Sequence, residues 1–99
     1  MDEQLLEALR EVIDPELGIN IVDLGLIYSA EVENGKAHVA MTLTTPGCPM
    51  AAEVQAAAEM VIWRRIPDVE SVDVRLVWSP PWRPAMMSED AKDEMGWMD

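Results

Sequence analysis

The apolar positions of the first segment, Leu5, Leu6, Leu9, Val12 and Ile13, recur at the three- and four-residue spacing of an amphipathic helix. The pattern predicts a helix from Asp2 to Ile13, with Asp2 as its N-cap. Asp14-Pro15 is expected to end it, because the residue before a proline is pushed out of the α region. The next stretch, DPELGINIVDLG, is too apolar for a solvated linker and is expected to pack on the domain. LIYSAEVE and KAHVAMTLT then flank Asn34-Gly35, the dipeptide favoured in two-residue hairpin turns. Closing that turn pairs Glu33 with Lys36, Val32 with Ala37, Ala30 with Val39, Tyr28 with Met41 and Leu26 with Leu43. The paired apolar residues fall on one face, leaving Glu31, Ser29, His38 and Thr42 on the other.

A second helix is predicted from Pro49 to about Ile66, rich in alanine, with Met50, Val54, Ala57, Ala58, Val61 and Ile62 as its inner face. Arg64 and Arg65 suit its negative end, and Pro67 forbids continuation. VESVDVRLVW alternates as a third strand, with Val72, Val74, Leu76 and Trp78 on one side. WSPPWRPAMM reads as extended chain, and Ser88 caps a last short helix, EDAKDEM, stopped by Gly96. The order is α-β-β-α-β with a short C-terminal helix. It implies an α/β, two-layer domain in which both main helices cover one face of a three-stranded mixed sheet. The third strand is expected parallel to the second, with the first strand between them.

Ninety-nine residues make one domain, spanning 1–99, since two would each bury too little. A net charge of −12 excludes nucleic acid and an anionic membrane surface as partners, because both select basic faces. No apolar run approaches the ~20 residues of a membrane helix, and the acidic, amphipathic start resembles no secretion signal. With one cysteine there is no internal disulfide, and a cytoplasmic setting is expected.

That cysteine sits in TTPGCPM. Thr45-Pro46-Gly47-Cys48 has the proline and glycine of a type II turn, and Pro49 then opens the predicted helix. Cys48 therefore falls at or near the helix N-cap, where orphan N–H groups and the macrodipole favour the thiolate. The competing reading is a small core residue, since free cysteines are commonly buried. No Lys or Arg lies within ten residues of it. A cluster or tetrahedral zinc needs about four ligands, so a monomer with one thiolate holds none stably. A transient cluster or iron site, or one shared with a partner or a second copy in a homodimer, stays open. His38 lies on the polar strand face opposite Glu31, far from Cys48, which argues against a Cys-His hydrolase.

Asp14 and Glu16 bracket Pro15, and helix termination accounts for them as well as a carboxylate pair does. Trp78 and Trp82 in WSPPW fit a displayed recognition loop or a cover for the sheet end equally. Four of the methionines, Met86, Met87, Met95 and Met98, cluster near the end as core filler or a soft docking surface.

DPELGINIVDLGLIY, MTLTTPGCP and LVWSPPWRPAMMSEDAK together resemble, in order and spacing, the SufT/PaaD-type iron–sulfur cluster assembly domains, relatives of the cytosolic iron–sulfur targeting factors. The resemblance covers nearly the whole chain and implies an iron–sulfur-cluster-assembly-type α/β fold. It also implies an accessory role in iron–sulfur protein maturation, alongside scaffold and carrier proteins and apo-clients. By the same resemblance the reactive cysteine carries over onto Cys48, with Thr45 and Gly47 in its loop, and the acidic block onto Asp14, Pro15 and Glu16 facing the same pocket. The expected role is an assembly or carrier factor rather than a turnover enzyme. The rivals are an adaptor that docks partners through WSPPWRP and the Met-rich tail, and a small thiol redox protein using Cys48.

Overall fold

In a computed structural model, described for residues 1–45 and 49–96, the elements follow the expected order. They are α1 (Glu3–Leu9), β1 (Ile27–Glu33), β2 (Lys36–Met41), α2 (Ala51–Arg65), β3 (Ser71–Leu76), a 3-10 turn at Pro84–Met86, and α3 (Glu89–Met95). The caps expected at Asp2 and Ser88 are in place: Asp2 Oδ1 accepts from Leu5 N at 3.0 Å and Ser88 Oγ from Ala91 N at 3.1 Å. α1 packs on β1 and α2 on β3, and the two helices touch each other. The opposite sheet face is exposed and polar, carrying Ser29, Glu31, Lys36, His38, Asp73 and Arg75. No helix among the described residues is long and apolar enough to cross a membrane.

β3 runs parallel to β2 as expected, but the sheet order is β1-β2-β3, so β2 and not β1 is central. The α2 crossover returns the chain directly to the hydrogen-bonding edge that β2 leaves open beside the hairpin. The register pairs Val39 with Val74 and Met41 with Leu76. β2 thus presents Ala37, Val39 and Met41 to the core, all nearly or wholly inaccessible.

Near the turn the hairpin has the predicted register, from Glu33↔Lys36 to Ala30↔Val39. Beyond it a bulge intervenes: Ser29 faces Ala40 and Ile27, not Tyr28, faces Met41. The extra residue is Tyr28. Its insertion turns Ile27 instead of Tyr28 to the core, while Leu26, just ahead of the strand, is buried as well. Thr42, just past the end of β2, is buried rather than lying on the open polar face.

α1 is shorter than its stripe. Glu11 N and Val12 N donate to Ala8 O and Leu9 O, tightening the end into i→i+3 turns. The chain then pairs with its own return, Ile13 opposite Asn20, and Ile21 N donates to Val12 O. Helix termination is set by this tertiary pairing rather than by Pro15. Ile13, expected on the buried stripe, is 52% exposed as a result.

The loop between α1 and β1 packs as its composition predicts, with Ile19, Ile21 and Leu24 in the core. It is covered by the proline-rich segment after β3. Ser88 N donates to Asp23 O at 2.7 Å, and a Cβ on Gly25 would lie 2.3 Å from Met86 O. Gly25 also has φ 79°. It therefore needs glycine twice over, for left-handed backbone and for close approach. Gly18 has φ 71° but nothing within 4 Å of the same position. Gly18→Ala is expected to cost about 1 kcal/mol and Gly25→Ala at least ~2–3 kcal/mol, a difference readable in paired urea melts.

Candidate functional site

The acidic block and the start of α2 do come together, though not through the carboxylates. Asp14 is 3% exposed and turned onto its own loop: Oδ1 accepts from Glu16 N at 2.8 Å and Leu17 N at 3.1 Å. Its backbone completes the knot, Asp14 N donating to Ile19 O and Gly18 N to Asp14 O. These bonds fill one carboxylate oxygen with loop amides, which suits a cap more than an acid or base aimed at substrate. Glu16 is exposed on the outer side of the same loop. Pro15, between them, lines a groove of about 440 Å³ together with Ile13, Met50, Glu53, Ala57 and Met60. The DPE block therefore frames the N-terminal end of α2 through its proline.

α2 begins at Ala51 with Met50 as its N-cap and no side-chain cap, whereas the sequence pattern starts the helix at Pro49 with Cys48 at or near the N-cap. Pro49 and Met50 form a turn ahead of the helix. Gly47 and Cys48 lie outside the described residues. On either side of their segment, Thr45 and Pro49 are both exposed. Two residues upstream of the pair Thr44-Thr45, the Thr42 hydroxyl is buried with no hydrogen-bond partner among the described residues. Among those residues no group of three His, Cys, Asp or Glu side chains could hold a metal ion.

His38 is where the register puts it, between Glu31 and Asp73 on the open face, with Nδ1 3.8 Å from Asp73 Oδ2. β2 runs from there toward Met41 and then into Thr44-Thr45, so the imidazole lies nearer the hairpin turn than the end where the chain leaves the sheet. The two tryptophans divide. Trp78 is 43% exposed, whereas Trp82 is half-buried against the core and donates from Nε1 to Leu24 O at 2.6 Å. Trp82 thus holds the proline-rich strap onto the apolar loop.

Sequence reasoning missed Tyr28. Its Oη lies 2.8 Å from Pro80 O and 3.7 Å from Met86 Sδ, pinning the strap at a second point. The adjacent Leu26-Ile27 pair, which breaks alternation ahead of it, is the signal that could have revealed the bulge. Burial raises the Tyr28 phenol above its ordinary value of 10.0. The folded state then keeps its proton where the unfolded chain loses it, so this contribution is complete below pH 10 and is lost as pH rises beyond it. Because Tyr28 is the only tyrosine, phenolate absorbance reads it alone. The native protein should ionise at higher pH than the urea-unfolded chain. For the loop knot, Asp14→Ala is expected to cost about 1–2 kcal/mol and Asp14→Asn only a part of that, measured by thermal melts.

The family model "Iron-sulfur cluster assembly protein" matches residues 2–74. The chain is 40% identical over 97 residues to the Fe-S protein maturation auxiliary factor YitW of Bacillus subtilis, covering 97% of this chain and 94% of that one. It is 48% identical over 86 residues to the Fe-S protein maturation auxiliary factor SufT of Staphylococcus aureus, covering 86% and 97%. Its fold matches the crystal structure of a domain of unknown function, DUF59, from Bacillus anthracis, with a TM-score of 0.89 and 42% identity. That match covers 94% of this chain and 89% of the other.

Proposed function

This chain belongs to the iron–sulfur cluster assembly protein family and, from that premise, we propose that it serves iron–sulfur protein maturation through Cys48 as a transient thiolate ligand. The relatives are named maturation auxiliary factors, not enzymes, and the role requires no turnover chemistry. The cluster or iron is cargo. One thiolate supplies one of the roughly four ligands a cluster needs, and cysteines of scaffold, carrier or apo-client proteins supply the rest. An incomplete shell keeps affinity low, and that permits release.

The observation that carries the reading is local. The chain enters and leaves the TTPGCP segment at exposed residues, Thr45 and Pro49, beside a loop locked by the Asp14 knot and the proline that frames the start of α2. A thiol that must meet a partner's cluster needs such access on a backbone that does not yield. The adaptor alternative rests on a different residue, Trp78, exposed next to the strap.

The two readings separate in cells whose iron–sulfur enzymes depend on this chain. Cys48→Ser is expected to lower the activity of those enzymes to the level of a strain lacking the protein, at unchanged protein abundance, while Trp78→Ala retains most of it. Full activity with Cys48→Ser and loss with Trp78→Ala would transfer the function to docking. Trp82→Ala is unsuited to this comparison because it releases the strap.

A further inference from the structure

α2 is apolar on more than its core side. Val54, Ala58, Val61 and Ile62 face inward, yet Met60 is 67% and Trp63 49% exposed, and Ala56 and Ala57 are exposed beside them. A surface helix of a small domain ordinarily turns a charged face outward, so an outward apolar stripe of this kind marks a contact surface. Along the groove the stripe runs Glu53, Ala57, Met60, Arg64, spaced by four, three and four residues, the seam spacing of paired helices.

Those four residues are complementary to themselves in reverse. If a second α2 lies antiparallel, centred between Ala58 and Glu59, Glu53 meets the second copy's Arg64 and Ala57 meets its Met60, with the same two contacts repeated by symmetry. A large side chain opposes a small one, and an acid opposes a base. Arg64 and Arg65 both pair with Glu11, so two guanidiniums share one carboxylate and this end of the stripe stays net positive toward Glu53 of the other copy. Met60 from each copy would enter the groove of the other, over Val54 and Val61 and against the exposed Ile13.

We infer that the groove along α2 is the contact surface of a symmetric homodimer, formed by antiparallel pairing of α2 with α2 of a second copy. The interface is one helix long and opposed by the acidic charge of each chain, so the dimer is a weak one. The arrangement sets the two Met50 residues apart by about 25 Å, at 1.5 Å per residue along α2. It therefore presents the two sites singly, at opposite ends, instead of joining them over one cluster. The dimer does not rest on the cargo reading of Cys48 and fails or stands independently of it.

Sedimentation velocity from about 10 µM to about 1 mM, with reductant present, tests it. Wild-type protein is expected to shift from monomer to dimer across that range, and Met60→Asp to remain monomeric. Glu53→Arg and Arg64→Glu alone should each weaken association about three- to tenfold, and the double exchange Glu53→Arg with Arg64→Glu should recover most of the loss. All three positions are exposed, and thermal melts of each variant verify that the fold is kept. Wild-type protein monomeric throughout, or a double exchange no tighter than the single ones, overturns the inference.

Discussion

An apolar loop can enter a protein core only if its backbone amides find partners there, because a buried N–H left without one costs about as much as a lost hydrogen bond or more. The segment from Ile13 to Leu26 meets this condition twice. Asp14 gives its carboxylate to the amides of Glu16 and Leu17. Asn20 and Asp23 bond each other while Asn20 Oδ1 also accepts from Asp23 N. With those groups satisfied, Ile19, Ile21 and Leu24 can be buried, and the rest of the molecule is arranged around that loop. α1 stops early because its chain must turn back to pair Ile13 with Asn20, and β1 starts with a bulge that turns Ile27 to the core.

The proline-rich strap completes this arrangement. It is bonded through Trp82 to Leu24, through Tyr28 to Pro80 and through Ser88 to Asp23, and it closes on Gly25 where no side chain fits. Two sequence blocks that look like separate motifs are thus the two halves of one contact. The family resemblance spans both, and their packing gives a physical reason for their occurring together. A block of acidic residues or a pair of tryptophans need not be chemistry; here Asp14 and Trp82 hold backbone, while Pro15, Glu16 and Trp78 are exposed.

If Cys48 carries cargo and α2 pairs with a second copy, function divides along α2. Its N-terminal end is framed by the locked loop and adjoins the cysteine segment, whereas its middle carries an apolar stripe that the monomer leaves uncovered. Cargo chemistry and association would then use different stretches of one helix. A carrier would benefit from this, since a site reserved for a client's cysteines would not be consumed by pairing with its own kind.

By itself the sequence determined what short-range chemistry governs: the element order, the Asn34-Gly35 turn with the register next to it, the caps at Asp2 and Ser88, and the stop at Pro67. Each depends on residues within a turn or two of one another, so local preference and final structure coincide. The frame of the candidate site is written in the sequence too, as prolines and glycine around one thiol, but Pro46, Gly47 and Cys48 lie outside the described residues. Tertiary structure alone decided that β2 is central, that α1 ends before Ile13, that Tyr28 bulges out, and that Asp14 and Trp82 serve the fold. Those outcomes depend on partners far along the chain, as with Tyr28 and Pro80, 52 residues apart, or Trp82 and Leu24, 58 apart. A hydrophobic pattern records that a residue will be buried; which surface buries it is settled only when distant segments compete for the same space.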